Sequence, residues 1–225
     1  AYSISLIPVF LSHWGKVHSA MVFFLMLSLY FAMKFEENKK LKFFYGSVAS
    51  AAGALSIHYI GISAFIFPLY AIFANRQLFN SRILVKAGAI YSAISLLFYS
   101  LNYGGFIYML YDQMRYYGST NYSSLMPVGR YERFYYVFRD YFNIDPVFTV
   151  AFIIMTALSF KFLIKNRYAR YILAGWLFNY FLLITIMAAP HMPRWLLISA
   201  TLSVPLAAGL FAEFLFRRKL NKFVI

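Results

Sequence analysis

Cysteine is absent from the 225 residues, which excludes a disulfide framework, a cysteine-ligated zinc site and a thiol nucleophile. Acid is scarce as well. Seven Asp and Glu stand against 21 Lys and Arg, and charged residues of both signs make up only 12% of the chain. With hydrophobic residues at 62%, that composition is not one of an ordinary soluble domain. No fixed-period repeat and no low-complexity tract breaks the chain. The opening Ala1–Leu11 has neither a cationic start nor a cleavage site, so it reads as the end of an apolar run and not as a signal peptide. The expectation is a chain whose amino-terminal part is missing.

What is present is an alternation. Ala20–Met33, Ala87–Leu101, Val147–Phe160, Tyr171–Met187 and Trp195–Phe216 are almost free of charge. Basic clusters separate them at every second junction: Lys34–Lys42, Arg76–Lys86, Lys161–Arg170 and Arg217–Lys222, which together hold 15 of the 21 Lys and Arg. This is the pattern of cytoplasmic loops in a polytopic membrane protein. The formal charge of +14 would suggest nucleic acid in a soluble protein. Here the cations flank apolar spans, so anionic headgroups at the cytoplasmic face are the better partner and no nucleic acid is expected.

A span needs about 20 residues to cross a hydrocarbon core of about 30 Å. On that measure Ala1–Leu11 exits, Ser12–His18 is an outer loop and Ser19–Lys34 returns. Phe43–Phe73 is too long for one crossing and basic at both ends, so it must go out and come back, with Ser56–Gly61 as the tip of a hairpin. Its short arms place that tip in a recess. A span from about Leu84 to Tyr103 leads outward, Gly104–Pro146 is one long extracytoplasmic juxtamembrane segment, and Val147–Ile164 returns. Tyr171–Met187 exits, Ala188–Arg194 turns, and Trp195–Phe216 ends inside. The expected fold is an all-α polytopic transmembrane helix bundle, a single domain over 1–225, with about seven spans plus a partial one. Its basic loops and C-terminus are cytoplasmic. Gly46, Ser50, Gly53 and Ala54 give one helix a small-residue face for close packing. Asn179, in mid-span, is expected to hydrogen-bond to a neighbouring helix.

This topology gathers all four histidines on the outer side: His13 and His18 in the first loop, His58 at the hairpin tip, His191 in the last turn. Lys16 and Arg194 join them. Ionisable groups at membrane depth are costly and tend to line cavities or bind something. Lys, Arg and His beside an apolar slot suit an anion with a lipid tail, because Arg and Lys give charge-assisted bonds to phosphate and imidazole donates without a full charge. Plainer readings exist for each residue. Lys16 and Arg194 suit snorkelling to headgroups, His13 and Trp14 suit interfacial anchoring, and His18 and His191 fit either account. A zinc site is the weaker reading: no histidine pair has helical spacing and no carboxylate lies nearby. No metal or cofactor is expected.

In the long outer segment, Phe134, Val137, Phe138 and Tyr141 share one face of Tyr131–Phe142, as an interfacial helix requires. The outer acids Asp112, Glu132, Asp140 and Asp145 are the available general bases, and their spacing marks out no pair.

Three stretches carry a resemblance. Ser12-His13-Trp14-Gly15-Lys16-Val17-His18-Ser19, leading into a span that ends Leu29-Tyr30-Phe31, resembles the outer-loop-into-helix segment of the polytopic C-fold (GT-C) glycosyltransferases. That clan includes the protein O-mannosyltransferases and the bacterial aminoarabinose transferases. Its members often have Arg and Tyr where Lys16 and His18 stand, a departure here. Leu55-Ser56-Ile57-His58-Tyr59-Ile60-Gly61 is similar to the family's hairpin, with its His-Tyr or Lys-aromatic pair. Met192-Pro193-Arg194-Trp195-Leu196-Leu197, followed by Pro205, is similar to its Arg-Tyr-Leu-Leu segment, with Trp in place of Tyr. The resemblance implies inverting transfer of a sugar from a polyprenyl-phosphate donor to a glycan, lipid or protein acceptor, outside a bacterial or archaeal plasma membrane. The family's catalytic acid lies in the first outer loop, a region expected to be missing here. The catalytic base therefore has no candidate, and the chain alone is expected to be inactive. The lipid-phosphate side of the site falls to Lys16, His18, His58, Tyr59, His191 and Arg194.

Other classes stay open. A transporter or flippase of a lipid-linked or anionic substrate would show broken helices or an internal repeat near the midplane; neither is visible in the sequence. A membrane scaffold would have no reason to collect histidines on one side. A surface-polysaccharide polymerase or ligase would use the same carrier with a longer outer loop.

Overall fold

The computed structural model describes residues 16–101, 145–158, 164–186 and 201–209, with 139, 142, 143 and 212 singly. Among the described residues the fold is all-α, without a strand. The elements are α1 (Lys16–Asn38), α2 (Leu41–Ile57), a 3-10 segment (Tyr59–Phe65), α3 (Ile66–Ala74), a short 3-10 turn (Arg76–Leu78), α4 (Ser81–Leu101), α5 (Pro146–Leu158) and α6 (Arg167–Ile186). Residues 201–209 are also helical. By length and composition one described helix, Ser19–Asn38, is able to cross a bilayer alone; Leu41–Ile57 and Gly61–Ala74 are apolar but shorter.

The tight α1–α2 pair follows from residue size. Met21, Leu25, Leu29, Ala32 and Phe35 recur at helical spacing along α1 and are all buried. They face the side of α2 where Ser47, Ser50, Gly53 and Ala54 are buried. A Cβ at Gly53 would come within 2.9 Å of the Phe24 ring, and one at Gly46 within 3.1 Å of Phe31. Both α2 glycines thus leave room for an α1 aromatic, the use of small residues that close helix packing demands. Between these contacts Ser28 and Ser47 form a reciprocal clasp. Each hydroxyl donates to the other's carbonyl at 2.9 Å, and the two oxygens lie 3.1 Å apart. Every buried hydroxyl of that pair is therefore bonded, as burial requires.

The turn between α1 and α2 needs a left-handed residue, and Lys39 supplies it at φ 54°. Its N–H donates to the Phe35 carbonyl at 2.7 Å, the single-bond αL cap that ends many helices. A lysine rather than a glycine there costs about 1–2 kcal/mol. The bonds its ammonium makes offset that cost: 2.8 Å to Glu36 and 2.6 Å to Asn75 Oδ1.

α2 stops at Ile57. His58 is extended (φ −156°, ψ 138°), and its N–H donates to the Ala54 carbonyl. The Gly61 N–H then donates to the His58 carbonyl at 2.8 Å and closes the bend. The chain descends as 3-10 helix and then as α3. A 3-10 helix rises about 2.0 Å per residue against about 1.5 Å for an α-helix, so the arm from 59 to 74 is about 27 Å long and matches the roughly 25 Å of α2. Stretching the first half of the return arm lets this short segment come all the way back. Asn75 accordingly ends up against Lys39 and Glu36, beside the start of α2.

α6 runs antiparallel to the return arm. Tyr171 meets Tyr70 edge-on at 4.7 Å, Gly175 lies against Phe67, and Ser63 Oγ donates to Asn179 Oδ1 at 3.0 Å. The interhelical bond expected of Asn179 is thus made to the hairpin. Trp176 links α6 onward: its ring is 6.0 Å from Phe152 of α5, and its Nε1–H donates to Ser203 Oγ at 2.9 Å. α4 packs beside α2, with the Lys86 ammonium 4.9 Å from the centre of the Tyr45 ring. Its Tyr91 crosses to Phe65 at 5.2 Å.

Candidate functional site

The described bundle has two ends of different chemistry. At one, the α1–α2 turn, the α3–α4 turn and the start of α6 converge. Glu36 is the centre of this end. Its carboxylate accepts from Asn75 Nδ2 at 2.9 Å and from the Tyr171 hydroxyl at 3.2 Å, and it pairs with Lys39. Asn75, 3% exposed, also donates to the Ala71 carbonyl. The ends of α1, α3 and α6 are tied through one carboxylate, with every named polar atom bonded. Lys34 and Glu37 form a second pair alongside at 2.7 Å. Three of the four basic clusters, around Lys39, Arg76 and Arg167, thus sit together.

The other end holds the hairpin tip. His58 is half-buried there, between α2 and the 3-10 segment that Tyr59 opens. The α1–α2 pairing sets the height of the first helix against this tip. Phe24 lies opposite Gly53 and Ser28 opposite Ser47. Carried back along α1, this antiparallel register brings backbone position 18 level with 58 and 59, and position 16 two residues (about 3 Å) above. α6 arrives at the same end: Asn179 meets Ser63, so the last residues of α6, to Ile186, are level with the tip. Two candidate positions, 18 and 58, are brought to one height with Tyr59, and Lys16 follows on the same helix. The side chains of Lys16, His18 and Tyr59 lie outside the described residues. So do His191 and Arg194, most of the 104–146 segment with the helix expected over 131–142, and most of the expected last span.

No protein-family model, curated protein or solved structure matches this chain. Its function has to be argued from its own chemistry.

Two features escaped the sequence reading. One is the Glu36 centre, whose signal is thin: an acid inside one basic cluster and an Asn just before the next, 39 residues apart. The other is an apolar groove of about 360 Å³ between α2, the return arm and α4. Its volume lies at the lower end of the range for small-molecule pockets. The signal for it was readable as Phe65, Leu69 and Ile72 along the return arm and Leu84, Gly88 and Tyr91 on α4, each set at helical spacing. Among the described residues no three side chains of the metal-binding types gather.

Proposed function

We propose that this chain is part of a multi-pass membrane glycosyltransferase of the cell envelope, with about seven spans plus a partial one. Its extracytoplasmic rim binds the phosphate of a polyprenyl-phosphate sugar, the donor for transfer to an outer acceptor. The observation that carries the proposal is the segregation of the two ends. The basic turns and the Glu36 centre occupy one end of the described bundle, and positions 18 and 58 lie level at the other. A phosphate at that rim would take charge-assisted bonds from Lys16 and Arg194 and neutral or charged donation from His18, His58 and His191, with the Tyr59 hydroxyl as a further donor. The isoprenoid tail would lie along the apolar flank of the bundle. Transfer needs a general base as well, and none of these residues is assigned that role.

In the full-length protein, His58→Ala and Arg194→Ala are each expected to lower kcat/KM for polyprenyl-phosphate sugar about tenfold or more, the effect of losing a bond to a charged group. Helical content and melting temperature should stay at wild-type values. Unchanged kinetics in both variants would remove these residues from the site, and with them the reading of the rim.

A further inference from the structure

The apolar groove has a direction. It runs along the bundle from Ile62, one turn past the tip, to Ile72 and Leu84 near the basic end. Ile62, Phe65 and Leu84 are 43%, 37% and 42% exposed, so the trough stands open among the described residues. Arg76 follows Ile72 by four positions, and Arg82 precedes Leu84 by two. Lys42 and Lys86 flank them on α2 and α4. All four cations are exposed, and none forms an ion pair among the described residues. The acids of this end among the described residues are taken: Glu36 by Lys39 and Glu37 by Lys34. Three of the four cations rest instead on aromatic faces, Lys42 on Phe43, Arg76 on Phe73 and Lys86 on Tyr45, at 5.2, 5.3 and 4.9 Å. Such contacts orient a cation and leave its hydrogen-bond donors available.

We infer that this groove is a binding site for an anionic phospholipid of the cytoplasmic leaflet, with an acyl chain in the trough and the phosphate among Arg76, Arg82 and the flanking lysines. Charge complementarity selects this occupant: an apolar trough with unpaired cations at one end matches an anionic headgroup on a hydrocarbon tail. The polyprenyl-phosphate donor proposed above is excluded from this site, because its phosphate belongs to the tip end and these cations lie at the other. The inference rests on the membrane-spanning part of that proposal and on the tip end as the donor's place, and on none of its transfer chemistry.

Gly88 gives a clean probe. It lines the groove, and a Cβ there would meet no described atom within 4 Å. Gly88→Leu should fill the trough without displacing backbone, and exchanging glycine in a helix raises helical propensity. The full-length protein is purified in mild detergent, incubated with equimolar phosphatidylglycerol and phosphatidylcholine, and its bound lipid is counted by native mass spectrometry. Wild type is expected to retain phosphatidylglycerol over phosphatidylcholine. Arg76→Gln and Arg82→Gln should each cut that preference about fivefold, the contribution of one basic side chain near an anionic surface. Gly88→Leu should lower the bound number of both lipids with melting temperature held or raised. Equal retention of the two lipids, or a preference that survives both Arg variants, overturns the inference. Unchanged lipid counts in Gly88→Leu also overturn it and mean that another part of the chain fills the trough. Extraction of wild type from membranes by carbonate is the separate result that defeats the spanning reading itself.

Discussion

Gly61→Ala is expected to lower the melting temperature of the protein sharply. The added methyl would overlap the Ala54 carbonyl oxygen and sit 2.8 Å from the Leu55 nitrogen. Both are backbone atoms of α2, so no rotamer change relieves the clash. Relief requires moving the return arm off α2, and three things go with it: the Gly61–His58 bond that closes the bend, the buried Ser63–Asn179 bond, and the seat of Phe67 against Gly175. Overpacking a well-filled interior costs about 1–3 kcal/mol and more when backbone must shift, so at least about 3 kcal/mol is expected here. Gly88→Ala is the control. It meets nothing within 4 Å and should be neutral or stabilising by up to about 1 kcal/mol. Thermal unfolding in detergent, followed by helical circular dichroism, measures both. A Gly61→Ala protein that melts within a few degrees of wild type would mean the hairpin does not close as described.

The second large effect is at the opposite end. Glu36→Ala takes the acceptor from the buried Tyr171 hydroxyl and from one Asn75 N–H, and the counter-charge from Lys39. A buried polar group left unbonded costs about 1–3 kcal/mol. Lys39 is 39% exposed, so solvent screens much of its share. The expected loss is about 2–4 kcal/mol. Lys39 is also held at positive φ, and without its partners that backbone cost is no longer offset. Glu36→Gln keeps an acceptor for Tyr171 and Asn75 and loses only the charge, so it should cost markedly less than the alanine. Equal losses in the two variants would show that charge alone holds this end together. No loss in either would make the convergence of α1, α3 and α6 incidental.

Large parts of the fold were legible because they follow from local chemistry. The hairpin could be read from one fact: an apolar stretch from Phe43 to Phe73, too long for one crossing and basic at both ends. The small-residue face of α2 was legible for a similar reason, since close packing needs particular residue types at helical spacing. The length argument on the arms missed the 3-10 geometry of Tyr59–Phe65. That geometry stretches the return arm to match α2, at about 27 and 25 Å, and both arms stay somewhat shorter than a hydrocarbon core of about 30 Å. Apolar residues do not announce a 3-10 segment, because its helical period is close to that of an α-helix. The Glu36 centre was hidden for another reason. Its members are 3, 39 and 135 positions from Glu36, and only the register of three packed helices brings them together. For the candidate site, the sequence pattern predicts a shared side for His18 and His58, and the α1–α2 register brings their backbone positions to one height.

The account depends most on which side of a membrane each end occupies. These 225 residues contain no cysteine, so single substitutions among them, labelled with an impermeant maleimide with any cysteine elsewhere replaced, measure that directly. His58→Cys and Arg194→Cys in the full-length protein should react from outside intact cells. Lys40→Cys and Gln77→Cys should react only in inverted vesicles. Labelling of positions 58 and 194 from opposite sides, or of position 58 and position 77 from the same side, would contradict the account.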